Sequence, residues 1–329
     1  MSLPTFTAST TAEEVADTFA EQIRGKNVLV TGTSINGIGF EAARVIAKYA
    51  NLVVITGYNS ERQAYALCLL QLSEDAIKKD VPSANIRQLV LDLTSLASVR
   101  KAAAEVNAYT EPLHVLVHNA ASPGGPLKLT VDGLERQIAV GQFSPFLLTK
   151  LIAPKLLATH TASYTPRMVV VSSLGHMNGV MDFETMAHPD PAKFHDGLRY
   201  AVTKSCNILF AAEITKRSGG KINGFSLHPG AINTNIVQKE ENRQALIDLG
   251  ALKADGSINT EIMSWKTIPE GAATTVAAAF DTRLEAKPGA YLVDCVEANA
   301  QIAPHASNQE NAEKLWTYSE DIAGEKFAF

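Results

Sequence analysis

The stretch NVLVTGTSINGIGFEAARVIAKYA, residues 27–50, changes its period in mid-course. Residues 27–31 form a short apolar run, mostly branched, the pattern of a strand covered on both faces. From Gly39 onward the apolar residues return at helical spacing. Between the two segments stand Gly32, Gly37 and Gly39. Glycines in such a turn let the backbone bend tightly and lie close to a pyrophosphate, which then rests on the helix N-terminus. A glycine-bearing turn alone is weak evidence, so the reading depends on whether the strand–helix alternation continues.

It does continue. Short Val/Ile/Leu runs at 52–56, 86–91, 114–118, 167–172, 222–227 and 290–294 are separated by amphipathic segments, among them 60–79, 95–109 and 270–280. Nearly uninterrupted apolar strands alternating with helices predict a doubly wound α/β fold whose parallel sheet has about seven strands. No Pro-, Gly- or Ser-rich linker and no repeat divides the 329 residues, which predicts one domain, 1–329. Residues 232–268 have weaker periodicity and read as an insertion that borders the substrate.

Totals narrow the class further. A 46% hydrophobic and 19% charged composition suits a globular protein with a sizeable core. The net charge of −5, with cations never denser than Lys78-Lys79 and Lys216-Arg217, gives no reason to expect nucleic acid as a partner. Cys68, Cys206 and Cys295 are odd in number and widely spaced, which predicts buried thiols in a reducing compartment. No run reaches the roughly 18 apolar residues that span a bilayer, and the N-terminus lacks the profile of a secretory signal. These features predict a cytoplasmic protein without a membrane anchor.

The polar residues that could hold a dinucleotide stand where strands end, which is where ligands bind in such sheets. The first turn offers Gly32, Ser34, Asn36, Gly37, Ile38 and Gly39. Asp92-Leu93 ends the third strand, where a carboxylate can take an adenine amino group. Asn119-Ala120 ends the fourth, and Pro229, Gly230, Ile232 and Thr234 follow the sixth, in reach of a nicotinamide carboxamide and a phosphate. Each alone could be a turn or a cap. Together they predict a Rossmann fold with its cofactor.

The combination TGTSINGIG, Asp-Leu, Asn-Ala, Ser-Ser, Tyr200-x-x-x-Lys204 and Pro-Gly-x-Ile-x-Thr resembles the short-chain dehydrogenase/reductase family across nearly the whole chain. The segments EGAATTV, GAYLVDC and ENAEKLWTYSEDIAG look like its branch of retinol dehydrogenase-like and WW-domain oxidoreductase-like enzymes. The resemblance implies catalytic roles. Ser173 would donate a hydrogen bond to the substrate oxygen, Tyr200 would exchange a proton with that oxygen, and Lys204 would lower the tyrosine pKa and hold the nicotinamide ribose. A free phenol titrates near ~10, so it needs a neighbouring positive charge to work as a base at neutral pH. The function implied is a ketoreductase-type interconversion of carbonyl and alcohol.

NAD-preferring relatives carry an acid at the end of the second strand, but ITGYNSER has none at Thr56, Gly57 or Tyr58. Asn59, Ser60 and Arg62 could take a 2′-phosphate, so NADP(H) is expected over NAD(H). One position departs from the family: Gly141 stands where an asparagine usually completes a proton relay. The relay then uses water, a neighbour such as Gln142, or nothing. Reduced turnover is one implication; the alternative is a non-redox enzyme that keeps the cofactor for a rearrangement, cyclisation or elimination.

Met177, Met181, Phe183, Met186 and Phe194 follow Ser173 and suit a small lipophilic carbonyl or alcohol substrate, although any of them could instead pack the loop. His176 and His195 are expected to be structural. No cluster has metal-ligand spacing, so no metal is expected. The helices at 130–159 and 199–217 are those by which the family usually pairs, which implies a homodimer or homotetramer.

Overall fold

The computed structural model describes residues 3–58, 63–122, 124–234, 237, 243, 246–247, 250–262 and 264–329. Asn59, Ser60 and Arg62, expected at the 2′-phosphate, lie outside the described residues, as do twelve positions of the expected insertion.

Strands β1 (Asn27–Val30), β2 (Leu52–Gly57), β3 (Ile86–Val90), β4 (Val115–His118), β5 (Arg167–Val171), β6 (Asn223–His228) and β9 (Tyr291–Val293) run parallel. The order across the sheet is β10-β9-β6-β5-β4-β1-β2-β3, with β10 (Val296–Glu297) antiparallel at one edge. A tight turn with left-handed Asp294 and Cys295 makes that last hairpin. The seven expected strands are therefore present, and a two-residue eighth extends the edge. A separate ladder pairs β7 (Ala231–Ile232) with β8 (Trp265–Lys266), so the chain that leaves after the sixth strand returns to the same point.

The strand side chains alternate between two cores. Val28 and Val30 face α1 (Ala12–Thr18), α3 (Ile38–Ala47), α4 (Gln63–Asp80) and the later α9 (Ile268–Phe280). Leu29 faces α5 (Leu96–Ala108), α7 (Ser144–Leu157) and α8 (Asp196–Arg217). The short α2 (Ala20–Ile23) precedes the sheet, and α6 (Arg136–Ile138) leads into α7. Capping boxes, Thr11 with Glu14 and Thr267 with Glu270, start α1 and α9. The terminal α10 (Gln309–Ala323) begins on an Asn308 cap and ends at left-handed Gly324.

Candidate active site

The sheet reverses its order between β1 and β4, and the glycine turn opens at that point. Asn119 locks the turn: its Nδ2 donates to the carbonyls of Thr31 and Gly32, each at 2.9 Å. Thr31 Oγ1 accepts from the backbone N–H groups of Asn119 and Ala120 at 3.0 and 3.1 Å. Thr56 Oγ1 accepts from Gly32 N–H at 3.1 Å. Gly32 is left-handed, at φ 72°, and a Cβ on Gly39 would lie 2.2 Å from Asn119 Nδ2. Asn36 in this turn is exposed and left-handed, at φ 63°. Ser34 is also exposed, its carbonyl accepting from Gly37 N–H at 3.1 Å, and Gly37 caps α3 ahead of Ile38.

Other expected contacts divide. Asp92 is half-buried, and its Oδ1 accepts from Thr94 N–H at 2.7 Å and Thr94 Oγ1 at 2.6 Å. The Leu93 side chain is in the core and its carbonyl accepts from Ser144 Oγ at 2.7 Å. Pro229 is buried, Gly230 is left-handed beside the Lys266 stem, and Ile232 packs inward near Gly271. Thr234 stays half-buried, its N–H donating to the Ile232 carbonyl at 3.0 Å.

Ser173, Tyr200 and Lys204 come together at the carboxyl end of β5 and along one face of α8. Ser173 Oγ accepts from Gly175 N–H at 3.1 Å and is also hydrogen-bonded to Tyr200. Lys204 is buried, with Nζ donating to the Val171 carbonyl at 2.8 Å and lying 5.5 Å from the Tyr200 ring centroid. Ser172 Oγ donates to the Lys204 carbonyl at 2.7 Å and ties helix to strand. A Cβ on Gly175 would approach the Tyr200 ring to 3.0 Å, so glycine there keeps the ring free.

Burial pushes the Tyr200 phenol up, only partly offset by the Ser173 hydrogen bond, although 36% of the residue's surface stays open. Burial also brings the Lys204 ammonium down to about 8. In the chain by itself the phenol is favoured in its protonated form.

Gly141 sits in a single π-turn, Ala139–Phe143, between α6 and α7. Its carbonyl accepts from Asn207 Nδ2 at 2.6 Å, and a Cβ there would lie 2.2 Å from Thr203 Cγ2. Gln142, the neighbour considered for the relay, is buried and donates to Ser319 Oγ at 3.3 Å instead.

Two histidines that the sequence reading left without a role in the site brace the serine. His176 is buried, its Nδ1–H donating to the Ser173 carbonyl at 2.7 Å while Nε2 accepts from Ala303 N–H at 3.2 Å. His228 Nδ1 accepts from Leu174 N–H at 3.2 Å. The only signal for His228 was its place directly before Pro229-Gly230. His195 caps α8, accepting from Leu198 N–H at 3.3 Å. Met186 is fully buried and packs the loop, while Leu174, Met177 and Val180 stay exposed. Among the described residues no group of three or more His, Cys, Asp or Glu side chains could hold a metal, and no helix is long and apolar enough to cross a membrane.

A doubly wound sheet with a glycine turn at its switch point, and a Ser–Tyr–Lys group at the strand ends, is the architecture of an oxidoreductase family. Residues 26–245 match the short chain dehydrogenase family, and the chain belongs to it. Members are enzymes acting on CH–OH and C=O groups. The chain is 33% identical over 312 residues to the short-chain dehydrogenase/reductase prx1 of Penicillium roqueforti, covering 91% of this chain and 85% of that protein. It is 31% identical over 329 residues to the human WW domain-containing oxidoreductase, covering 98% and 73% respectively. Among solved structures, the Pseudomonas aeruginosa RhlG/NADP active-site complex superposes with a TM-score of 0.58 at 22% identity, over 82% of this chain and 94% of that one.

Proposed function

We propose that the chain is an NADP(H)-dependent oxidoreductase that interconverts a carbonyl and an alcohol on a small lipophilic substrate. The observation that carries this reading is the convergence of Ser173, Tyr200 and Lys204 beside the Asn119-locked glycine turn. That turn fits a dinucleotide: a Cβ on Gly39 would fill the space where Asn119 meets the backbone, and α3 begins directly behind it. Lys204 and the residues after β6, Pro229 to Thr234, would hold the nicotinamide end. The cofactor supplies the hydride. NADP(H) is favoured by the lack of any acid at Thr56–Tyr58 and by neighbours such as RhlG that are described with NADP.

In reduction, Ser173 donates its hydroxyl hydrogen bond to the substrate oxygen and Tyr200 passes its proton to that oxygen. The raised phenol pKa keeps Tyr200 protonated for that step. Lys204, fixed on the Val171 carbonyl, keeps a positive charge near the resulting phenolate. Exposed Leu174, Met177 and Val180 give the substrate an apolar approach.

The test is hydride transfer from 4-deuterated NADPH, and separately NADH, to a panel of lipophilic ketones and aldehydes, read by mass spectrometry. Label is expected from NADPH and should fall about 10²–10⁴-fold in Tyr200→Phe. Bound cofactor without label in any product would overturn the reading and favour the non-redox alternative.

A further inference from the structure

We propose that residues 309–329 close the outer face of α7 and α8 from within the same chain, occupying the place a second copy would need, so that this face joins no subunits.

The sheet does not cover that face. Val202, Cys206 and Leu209 of α8 form a buried cluster with Ala312 and Leu315 of α10. Directly after Leu315, the Trp316 indole is only 2% exposed, with its ring centre 5.0 Å from Phe146 and 6.2 Å from Phe210. Phe327 stacks on Trp316 at 4.9 Å and meets Phe146 at 5.6 Å. Without the terminal segment, two helices would present a continuous apolar surface to water, which single chains seldom tolerate.

Polar contacts fix the segment in register. Gln309 Nε2 donates to Glu213 Oε2 at 3.2 Å, and Lys216 pairs with Glu313 at 3.3 Å. The Arg217 guanidinium lies 4.6 Å from the Trp316 ring centre. Glu325 closes the far end between Arg100 and Lys150, while Arg100 Nη2 donates to the Ala323 carbonyl at 2.7 Å. The surface left outside is of another kind. Glu310, Glu313, Lys314, Thr317 and Asp321 are exposed, so the seated helix shows a polar side to solvent where a subunit interface would bury aromatic residues.

Light scattering on the full chain, combined with zero-length carbodiimide coupling of Lys216 to Glu313, tests this. The expected result is a particle of 35.3 kDa whose Lys216–Glu313 coupled peptide comes from the single-chain band on a denaturing gel. A larger particle that still yields this peptide from the single-chain band leaves the face closed and supports the proposal. Recovery of the peptide only from a double-mass band, or no such coupling at all, overturns it.

Discussion

Burial favours the neutral Tyr200 phenol, and the Ser173 hydrogen bond offsets this only in part. The ammonium is held on the Val171 carbonyl and is itself weakened by burial. A measurable consequence follows for the protein without cofactor. The absorbance at 295 nm that Tyr200→Phe removes should titrate above the ordinary phenol value of ~10. A midpoint below ~8 would mean that Lys204 alone activates the phenol and would refute this account. The pairing of Tyr200 with Lys204 was readable from their spacing, since four residues make one helical turn. What spacing could not give is the sign of the shift, which depends on how densely the surrounding chain packs on the oxygen.

The π-turn at Ala139–Phe143 explains the unusual Gly141 by its neighbour rather than by its own chemistry. The Thr203 methyl occupies the space where a side chain at 141 would begin, and Asn207 holds the Gly141 carbonyl. Restoring the family's asparagine is therefore expected to harm the fold. Gly141→Asn should cost about 1–3 kcal/mol in urea denaturation through overpacking. The double variant with Thr203→Ala should recover most of that loss. A single variant as stable as the parent would show that the helices part easily here. The regular elements were far easier to read than this turn. Strands such as Val115–His118 stand out because both faces are buried and three of the four positions are apolar. The π-turn leaves no periodic trace, the two-residue β10 is too short to have one, and the seat of Trp316 depends on Phe146, 170 positions earlier in the sequence.

At the scale of the whole molecule, three histidines are kept neutral by their surroundings. Burial lowers His114 and His228 to about 4 and His118 to about 3. His118 donates through Nε2 to Thr149 Oγ1 at 2.8 Å and leaves Nδ1 without a partner. Their unfolded-state value is ~6.5, so between pH 6.5 and 4 the unfolded chain binds more protons than the folded one. The stability they contribute is complete above pH 6.5 and is lost as pH falls toward 4. Each such proton steepens the decline by up to about 1.4 kcal/mol per pH unit. Thermal melts should drop between pH 7 and pH 5, and less steeply in His228→Gln; a flat profile would contradict the assignment.

The β7–β8 ladder has a different kind of consequence. Ala231 pairs with Trp265 and Ile232 with Lys266, so the chain departs from the site and rejoins it through one short seam. Because the seam fixes both ends, the entropy of closing the excursion grows only with the logarithm of its length, about 0.6 kcal/mol for each doubling. The seam brackets 32 positions of the sequence, 233–264. A segment of another length grafted between Ile232 and Trp265 is expected to leave the sheet, the glycine turn and α8 on their own supports.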